Sequence, residues 1–398
     1  MNILFLSYWG INEGLTAATV FPHLEILAGF SNIDTVLLVT IERDENYDNS
    51  VMPKHKKISH QPLLSRRPLP NILNKIYDFI DFPKKIARLC KEENIDKIIA
   101  RGAPPGALAM KVSRKTGTPF YVESFEPHAD YMYESGTWEK YDPRYFFQKK
   151  WEKQQLKEAT ALMPVAENYK KVLIEKGVSP EKIDVIPCCV DTNKFAFNKE
   201  AREKVRQELG CEDKIIGIYT GKFGGLYYGE EAFSVFKTVF DRFGEKFFLI
   251  ILTPDAKEWI YNTAEKYGLP KERIFVTLSP YSKVPEYLSA ADFAFSLQNH
   301  KPSNLYLSPI KTGEYWAAGL PVLMTKGVGD DSEIIEKETA GAVFQKSSDK
   351  FNIVKGLITI ENLIQENSIR TRLSKLAAKH RSFSLAENIY GKWYGGES

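Results

Sequence analysis

"YLSPIKTGEYWAAGLPVLMT" (306–325) reads as a loop, a helix, a glycine stop and a strand. Ser308 is a good N-cap and Pro309 suits a first helical position, so the spacing predicts a helix from 309 to about 318. Gly319 then ends it and Pro321 opens a strand over 320–325. A helix delivered straight into an apolar strand is the repeating unit of an α/β sheet.

The same unit recurs upstream. KIIGIYTGKFG (214–224), KFFLIILT (246–253), RIFVTLS (273–279) and ADFAFSLQ (291–298) read as strands, with helices over 229–243 and 284–291. An earlier series comprises NILFLSY (2–8), DTVLLVTI (34–41), DKIIARG (96–102), TPFYVESF (118–125) and ATALMPVA (159–166). Its helices are expected from about Thr16 to Phe30 and near 105–116. These runs are apolar on both faces, as strands covered on both sides must be. The expectation is an α/β chain of two Rossmann-like, doubly wound domains facing a central cleft. The first spans 1–190 and the second 191–382, and a last helix over 383–398 crosses back. The joint is "DVIPCCVDTNKFAFNKE" (184–200).

Bulk properties agree and exclude other classes. A chain of 398 residues is long for one core, and 43% hydrophobic with 26% charged residues is ordinary globular composition. Fifty-four basic against 51 acidic residues leave a net charge of only +3, so nucleic acid is not an expected partner. Cys90, Cys188, Cys189 and Cys211 form no CxxC pair, and six scattered histidines add no zinc pattern. Reduced thiols in the cytoplasm are the simplest reading. MNILFLSYWG has no basic leader region and reads as a buried strand, and no apolar run approaches the ~20 residues that span a bilayer.

Chemistry concentrates in five segments. In the opening one, the free amides of Pro309–Lys311's turn (Ile310 and Lys311 above all) and the Lys311 ammonium make an anion site. Glu314 lies one turn further on roughly the same side, among apolar neighbours where a carboxylate is costly unless bound. An anion followed by a carboxylate matches a phosphate followed by a sugar diol. The plain alternative is that Glu314 pairs with Lys311 or caps a neighbour. In "IYTGKFGGLYYGEE" (218–231), Gly221, Lys222, Gly224 and Gly225 follow a strand, which suits close ligand approach or an ordinary turn. "SYWGINEGLTAA" (7–18) places Gly10 and Gly14 after the first strand, in a flexible loop at the switch end of the first sheet or an ordinary surface turn. "YVESFEPHADYMYESGTWEKYD" (121–142) holds Glu123, His128 and Asp130 among aromatics; the histidine suits a proton relay or a structural hydrogen bond. Finally 53–89 interleaves Lys and Arg with apolar residues, as an anionic membrane surface or a solvated helix face would require.

With these segments in place the chain resembles the GT-B glycosyltransferases, specifically the retaining group known as family 4. "VIPCCVDTNKF" is similar to the family's interdomain segment, with Cys189 where glycine is common. "VPEYLSAADFAFS" and "SPIKTGEYWAAGLPVLMT" resemble its helix and strand before the donor site and its most specific stretch. The resemblance implies a nucleotide-sugar donor in the second domain and a glycan or lipid-linked acceptor in the first, near Gly10, Asn12, Gly14 and Asp130. It implies that Glu314 binds ribose hydroxyls and that Ser308, Pro309, Ile310 and Lys311, with Gly221, Lys222 and Gly225, hold the diphosphate. Tyr281, Ser282 and Val284 would flank the base. His128, Glu123 and Lys222 would carry catalysis with retention, without cofactor or metal, in surface polysaccharide synthesis at the inner face of the membrane. Two departures stand out. Tyr306 occupies the place of the family's first glutamate, and Tyr227 and Tyr228 replace the second lysine of the glycine loop. An epimerase or phosphorylase on the same fold, or a non-catalytic nucleotide-sugar binder, would share the remaining features.

Overall fold

The strands form two separate six-stranded sheets in a computed structural model that describes residues 1–65 and 71–395. The first contains β1 (Asn2–Ser7), β2 (Thr35–Glu42), β3 (Ile58–Leu64), β4 (Lys97–Arg101), β5 (Phe120–Phe125) and β6 (Ala161–Pro164). The second contains β7 (Ile215–Thr220), β8 (Phe247–Leu252), β9 (Ile274–Thr277), β10 (Phe293–Ser296), β11 (Val322–Thr325) and β12 (Gly341–Phe344). Their orders are β3-β2-β1-β4-β5-β6 and β12-β11-β10-β7-β8-β9. All pairings are parallel. Each sheet therefore has the doubly wound order, reversing between β1 and β4 and between β7 and β10. In such sheets ligands bind beyond the strand carboxyl ends at that reversal.

The apolar runs explain the strands. All six residues of β8, FFLIIL, are buried, because helices cover both faces. Gly217 in β7 has a packing reason: a Cβ there would stand 2.7 Å from the Phe295 ring and 2.9 Å from Phe247. Edge-to-face rings fill this side of the core, Phe236 meeting Phe295 at 5.1 Å and Phe240 meeting Phe247 at 4.8 Å.

By its internal contacts the chain divides into two units. The second comprises Val190–Ser382 and the short stretch Glu134–Thr137, and the first holds the rest, including the chain from Phe383. The Phe383–Tyr394 helix thus belongs with the first sheet, where Ala386, Tyr390 and Tyr394 are fully buried and Tyr390 Oη lies 2.6 Å from His23 Nδ1. None of the four cysteines forms a disulfide.

Three local expectations change. Residues 58–64 form an edge strand, β3, where the sequence suggested only a basic helix or linker; Pro62, which lacks a donor, is tolerated at an edge. The helix expected from Thr16 to Phe30 is two, Gly14–Thr19 and Phe21–Gly29, with Pro22 in the first turn of the second. β12 was not foreseen at all. The basic 53–89 segment is described except for 66–70, which lie outside the described residues.

Candidate functional site

The reversal point of the second sheet gathers the segments that sequence singled out there. After β7 the chain turns through Gly221, Gly224 and Gly225, whose φ values of 115°, 80° and 66° are left-handed and suit glycine. Lys222 is exposed, and its carbonyl accepts a 2.7 Å bond from Tyr219 Oη. The loop is held against the exit of β10. Asn299 Nδ2 donates to the carbonyls of Tyr227 at 2.8 Å and Gly225 at 3.2 Å, and Tyr227 bridges Gln298.

The start of the Ile310–Ala317 helix lies against this loop. Lys311 Nζ would be 2.9 Å from a Cβ on Gly221, so only glycine leaves the ammonium its place. That Nζ is sealed from solvent and has no hydrogen-bond partner. It faces the rings of Tyr227 at 4.2 Å and Tyr219 at 4.9 Å. Burial pulls its pKa down to about 7, only partly opposed by Glu314. A buried cation that makes no hydrogen bond or close ion pair is a place prepared for an anion.

Glu314 is 6% exposed. It makes no ion pair with Lys311, so the plain pairing alternative does not hold. Its Oε1 accepts a 2.9 Å bond from Tyr281 Oη. Burial raises its pKa to about 7, with that bond, Lys311 and Lys194 acting against the rise. Tyr281 is itself covered by Lys194, whose Nζ stands 4.2 Å from the ring centre, and Phe195 lies 5.6 Å away. The same helix is tied to β7: Tyr315 Oη accepts from Thr220 N at 3.0 Å and lies 2.8 Å from Thr220 Oγ1. Position is thus fixed by the helix-to-strand unit read first in the sequence.

Ser308 does not cap. Pro309 is the N-cap, in extended conformation, the helix begins at Ile310, and no side chain caps it. The Ser308 hydroxyl instead accepts from the Arg381 guanidinium. The amides of Ile310 and Lys311 therefore stand at an open helix end. Tyr306 is half-buried at the end of the turn Pro302–Tyr306. Ser282 is exposed, and Val284 opens the Val284–Ala290 helix and packs on the core. The sequence reading passed over Gln298 and Asn304, each 1% exposed. The Gln298 amide and the Asn304 Oδ1 are buried without a partner.

In the first unit the candidates are scattered. Gly10 is buried over Glu42, which accepts from Ile11 N at 2.9 Å; a Cβ on Gly10 would lie 2.5 Å from Glu42 Oε2. Asn12 exchanges bonds with Asp48, at 3.0 Å and 2.8 Å, and Gly14 is exposed. Asp130 accepts from Lys149 at 2.6 Å and Tyr145 at 3.0 Å. Glu123 is 1% exposed and held by Arg101 at 3.2 Å beneath Tyr390 and Tyr394. The expectation of a catalytic Glu123 is corrected: the carboxylate anchors the last helix and offers no surface to a substrate. His128 is half-buried at the start of the His128–Glu134 helix, stacked on Tyr131 at 6.4 Å and edge-on to Trp138 at 5.9 Å. Nearby Glu152, not foreseen, accepts from Ala129 N at 2.9 Å, and burial raises its pKa to about 7. Its place on an ordinary charged helix gave no signal. Among the described residues no cluster of His, Cys, Asp or Glu could hold a metal ion.

Comparison with known proteins bears on both units. The model of Glycosyltransferase Family 4 matches residues 34–194, and that of glycosyl transferases group 1 matches 201–380. The chain belongs to the GT4-type glycosyltransferases. Its fold is GT-B. HepE of Anabaena in complex with UDP-glucose is 14% identical over 99% of each chain, with a TM-score of 0.72. A sucrose-phosphate synthase of Thermosynechococcus elongatus is 15% identical over 99% of this chain and 98% of its own, with a TM-score of 0.74. WaaG, a glycosyltransferase of lipopolysaccharide biosynthesis, is 16% identical over 99% of this chain and 100% of its own, at 0.67. A search of curated proteins finds no match.

Proposed function

We propose that this glycosyltransferase moves a sugar from a nucleoside-diphosphate donor to a glycan or lipid-linked acceptor with retention of configuration, in surface polysaccharide assembly. One observation carries the donor half: a solvent-sealed, partnerless Lys311 ammonium beside an uncapped helix start, with the Glu314 carboxylate one turn on. The diphosphate takes the ammonium and the amides of Ile310 and Lys311; the ribose diol takes Glu314. HepE, of the same fold, binds UDP-glucose, which makes UDP-sugars the first donors to try.

Charge dictates the chemistry. Breaking the anomeric bond puts negative charge on the departing diphosphate, and fixed cations and amides stabilise it without reorganising. Lys311 supplies that cation and Lys222, exposed on the loop, a second one; no further cofactor enters the proposal. The departing phosphate takes the acceptor's proton. His128 orients the acceptor or the transferring sugar in this reading.

The test is incubation with UDP-, GDP- and ADP-sugars, with and without glycan acceptors, followed by NMR of products. Slow donor hydrolysis with one base, and an acceptor-dependent product of retained configuration, is the expected result. Tight nucleotide binding with no turnover on any donor would point to a binding protein. An altered free sugar formed without acceptor would point to an epimerase.

Membrane contact is part of the proposal. The Asn71–Glu92 helix is inverted over its first half: Asn74 and Asp78 are buried, while Leu73, Ile76, Tyr77 and Ile80 are 47%, 53%, 36% and 55% exposed. Their spacing is one helical stripe. Lys84, Lys85 and Arg88 continue the exposed face. Apolar residues beside cations suit an anionic bilayer surface. Among the described residues no helix is long and apolar enough to cross a membrane. Ile76→Ser with Ile80→Ser is expected to weaken co-sedimentation with phosphatidylglycerol vesicles at least about tenfold, given about 1.5–3 kcal/mol per buried Ile. Equal sedimentation of variant and parent would remove this part.

A further inference from the structure

We infer that the Tyr227 side chain is the gate of the phosphate seat: in the free protein its ring rests on the Lys311 ammonium, and it turns aside when a diphosphate takes that place. This rests on the donor reading above. Tyr227 stands in the glycine turn where the resemblance implies a lysine. A tyrosine there adds no charge for a phosphate, so it needs another role. Burial supplies one. Lys311 as a residue is half-buried, yet its Nζ is sealed from solvent and makes no hydrogen bond. No phosphate reaches a sealed ammonium unless a covering group moves.

Two rings lie on the ammonium, Tyr227 with its centre at 4.2 Å and Tyr219 at 4.9 Å. They differ in freedom. Tyr219 belongs to β7 and is fully buried; it stacks on Phe223 at 4.6 Å, and its Oη donates to the Lys222 carbonyl at 2.7 Å. Tyr227 is half-buried, on the turn itself. Burial raises the pKa of Tyr219 and of Tyr315, and Tyr227 adds to both rises, so its hydroxyl end points inward beside theirs. Its backbone is pinned. The Tyr227 carbonyl accepts from Asn299 Nδ2 at 2.8 Å, and Tyr228 N donates to the Leu297 carbonyl at 3.3 Å. The turn therefore stays in place and the side chain rotates about its Cα–Cβ bond. The turn has open space beside it, since a Cβ on Gly224 or Gly225 would meet no atom within 4 Å. A ring face offers a cation only its quadrupole, whereas a diphosphate offers full charge and charge-assisted hydrogen bonds. The ring thus holds the ammonium in the free protein and yields to the diphosphate. A neutral nucleoside has nothing with which to displace it.

Acetylation of the lysines by sulfosuccinimidyl acetate, read peptide by peptide in a mass spectrometer, tests this. In the parent and in Tyr227→Phe, Lys311 is expected to react far more slowly than the exposed Lys222. Tyr227→Ala is expected to speed the Lys311 reaction at least about tenfold, the hold of a desolvated ring contact expressed as an equilibrium. Whichever of UDP, GDP and ADP the chain binds is expected to shield Lys311 again in that variant. By calorimetry Tyr227→Leu, a cover without a ring face, is expected to bind the same nucleotide about tenfold more tightly than Tyr227→Phe does. The corresponding nucleoside, which lacks phosphate, is expected to bind both variants equally. The Leu variant carries the test should the Ala variant fail to fold. Three results overturn the gate and leave the donor site standing: Lys311 as reactive as Lys222 in the parent, no faster reaction in Tyr227→Ala, or equal diphosphate affinity in the Leu and Phe variants. A nucleotide that binds without shielding Lys311 in Tyr227→Ala, or a parent chain that binds none of the three, overturns the donor reading, and this inference with it.

Discussion

Lys311→Met is expected to cut donor turnover by about 10²–10³-fold while making the free protein more stable, a fixed cation at a developing anion being worth about 3–4 kcal/mol. The opposite signs follow from one fact. The ammonium is buried with no hydrogen-bond partner, and two tyrosine faces at 4.2 and 4.9 Å are its nearest compensation. Cation–π contact returns part of the desolvation cost, on the order of 2 kcal/mol at best, where removal of an ion from water costs several. Methionine has nearly the same length and no charge, and it fills the slot beside Gly221 without the cost. The pH dependence fixes the cause. The folded pKa, about 7, lies below the ordinary lysine value of 10.5, so the unfolded chain binds the proton more tightly between them. The penalty is full below about pH 7 and fades as pH rises toward 10.5. Thermal unfolding from pH 6 to pH 10 is thus expected to show the Met variant's advantage shrinking steadily. A variant as active as the parent, or one less stable at pH 6, would sink the assignment.

What the sequence showed and what it withheld divide along a physical line. Helix-to-strand units, the glycine turns and the order of apolar runs are local patterns, and they placed ten of the twelve strands and brought the segments holding Lys222, Lys311 and Glu314 to one reversal point. β3 escaped because its residues alternate in burial and include Pro62, which reads as a break until an edge position is known. Ser308 looked like a cap because capping is judged from neighbours in sequence; in the fold Pro309 takes the N-cap position and the Ser308 hydroxyl accepts from Arg381, distant in the chain. Glu123 read as chemical among the aromatics of its own segment, yet the groups that surround it, Arg101, Tyr390 and Tyr394, come from other segments. Buried charge pairing is long-range information. The partner of Glu314 was of the same kind: Lys311 was the neighbour by helical spacing, but the hydroxyl that bonds it comes from Tyr281.

Glu314→Gln separates a ligand-binding carboxylate from a helix-holding one. Gln keeps an oxygen that can still accept from Tyr281 Oη, so the 2.9 Å bond seen in the free protein survives. It cannot accept from both ribose hydroxyls with full charge, and donor affinity is expected to fall by about 1–3 kcal/mol. Stability should move the other way. Burial raises the folded pKa from 4.5 to about 7, so the folded chain holds the proton more tightly than the unfolded one between those values. The parent's ionisation cost is absent below about pH 4.5 and complete above about pH 7, and the Gln variant escapes it. Its stability advantage is therefore expected to grow as pH rises through that window, the reverse of the trend for Lys311→Met. The ligand itself supplies the decisive control. A 2′,3′-dideoxynucleoside diphosphate lacks the diol but keeps base and phosphates, so it should bind parent and variant equally. If the variant loses as much affinity for the dideoxy ligand as for the natural one, Glu314 acts through the helix and not on the ribose. If the loss disappears, the cycle assigns the missing energy to the carboxylate and the diol as a pair.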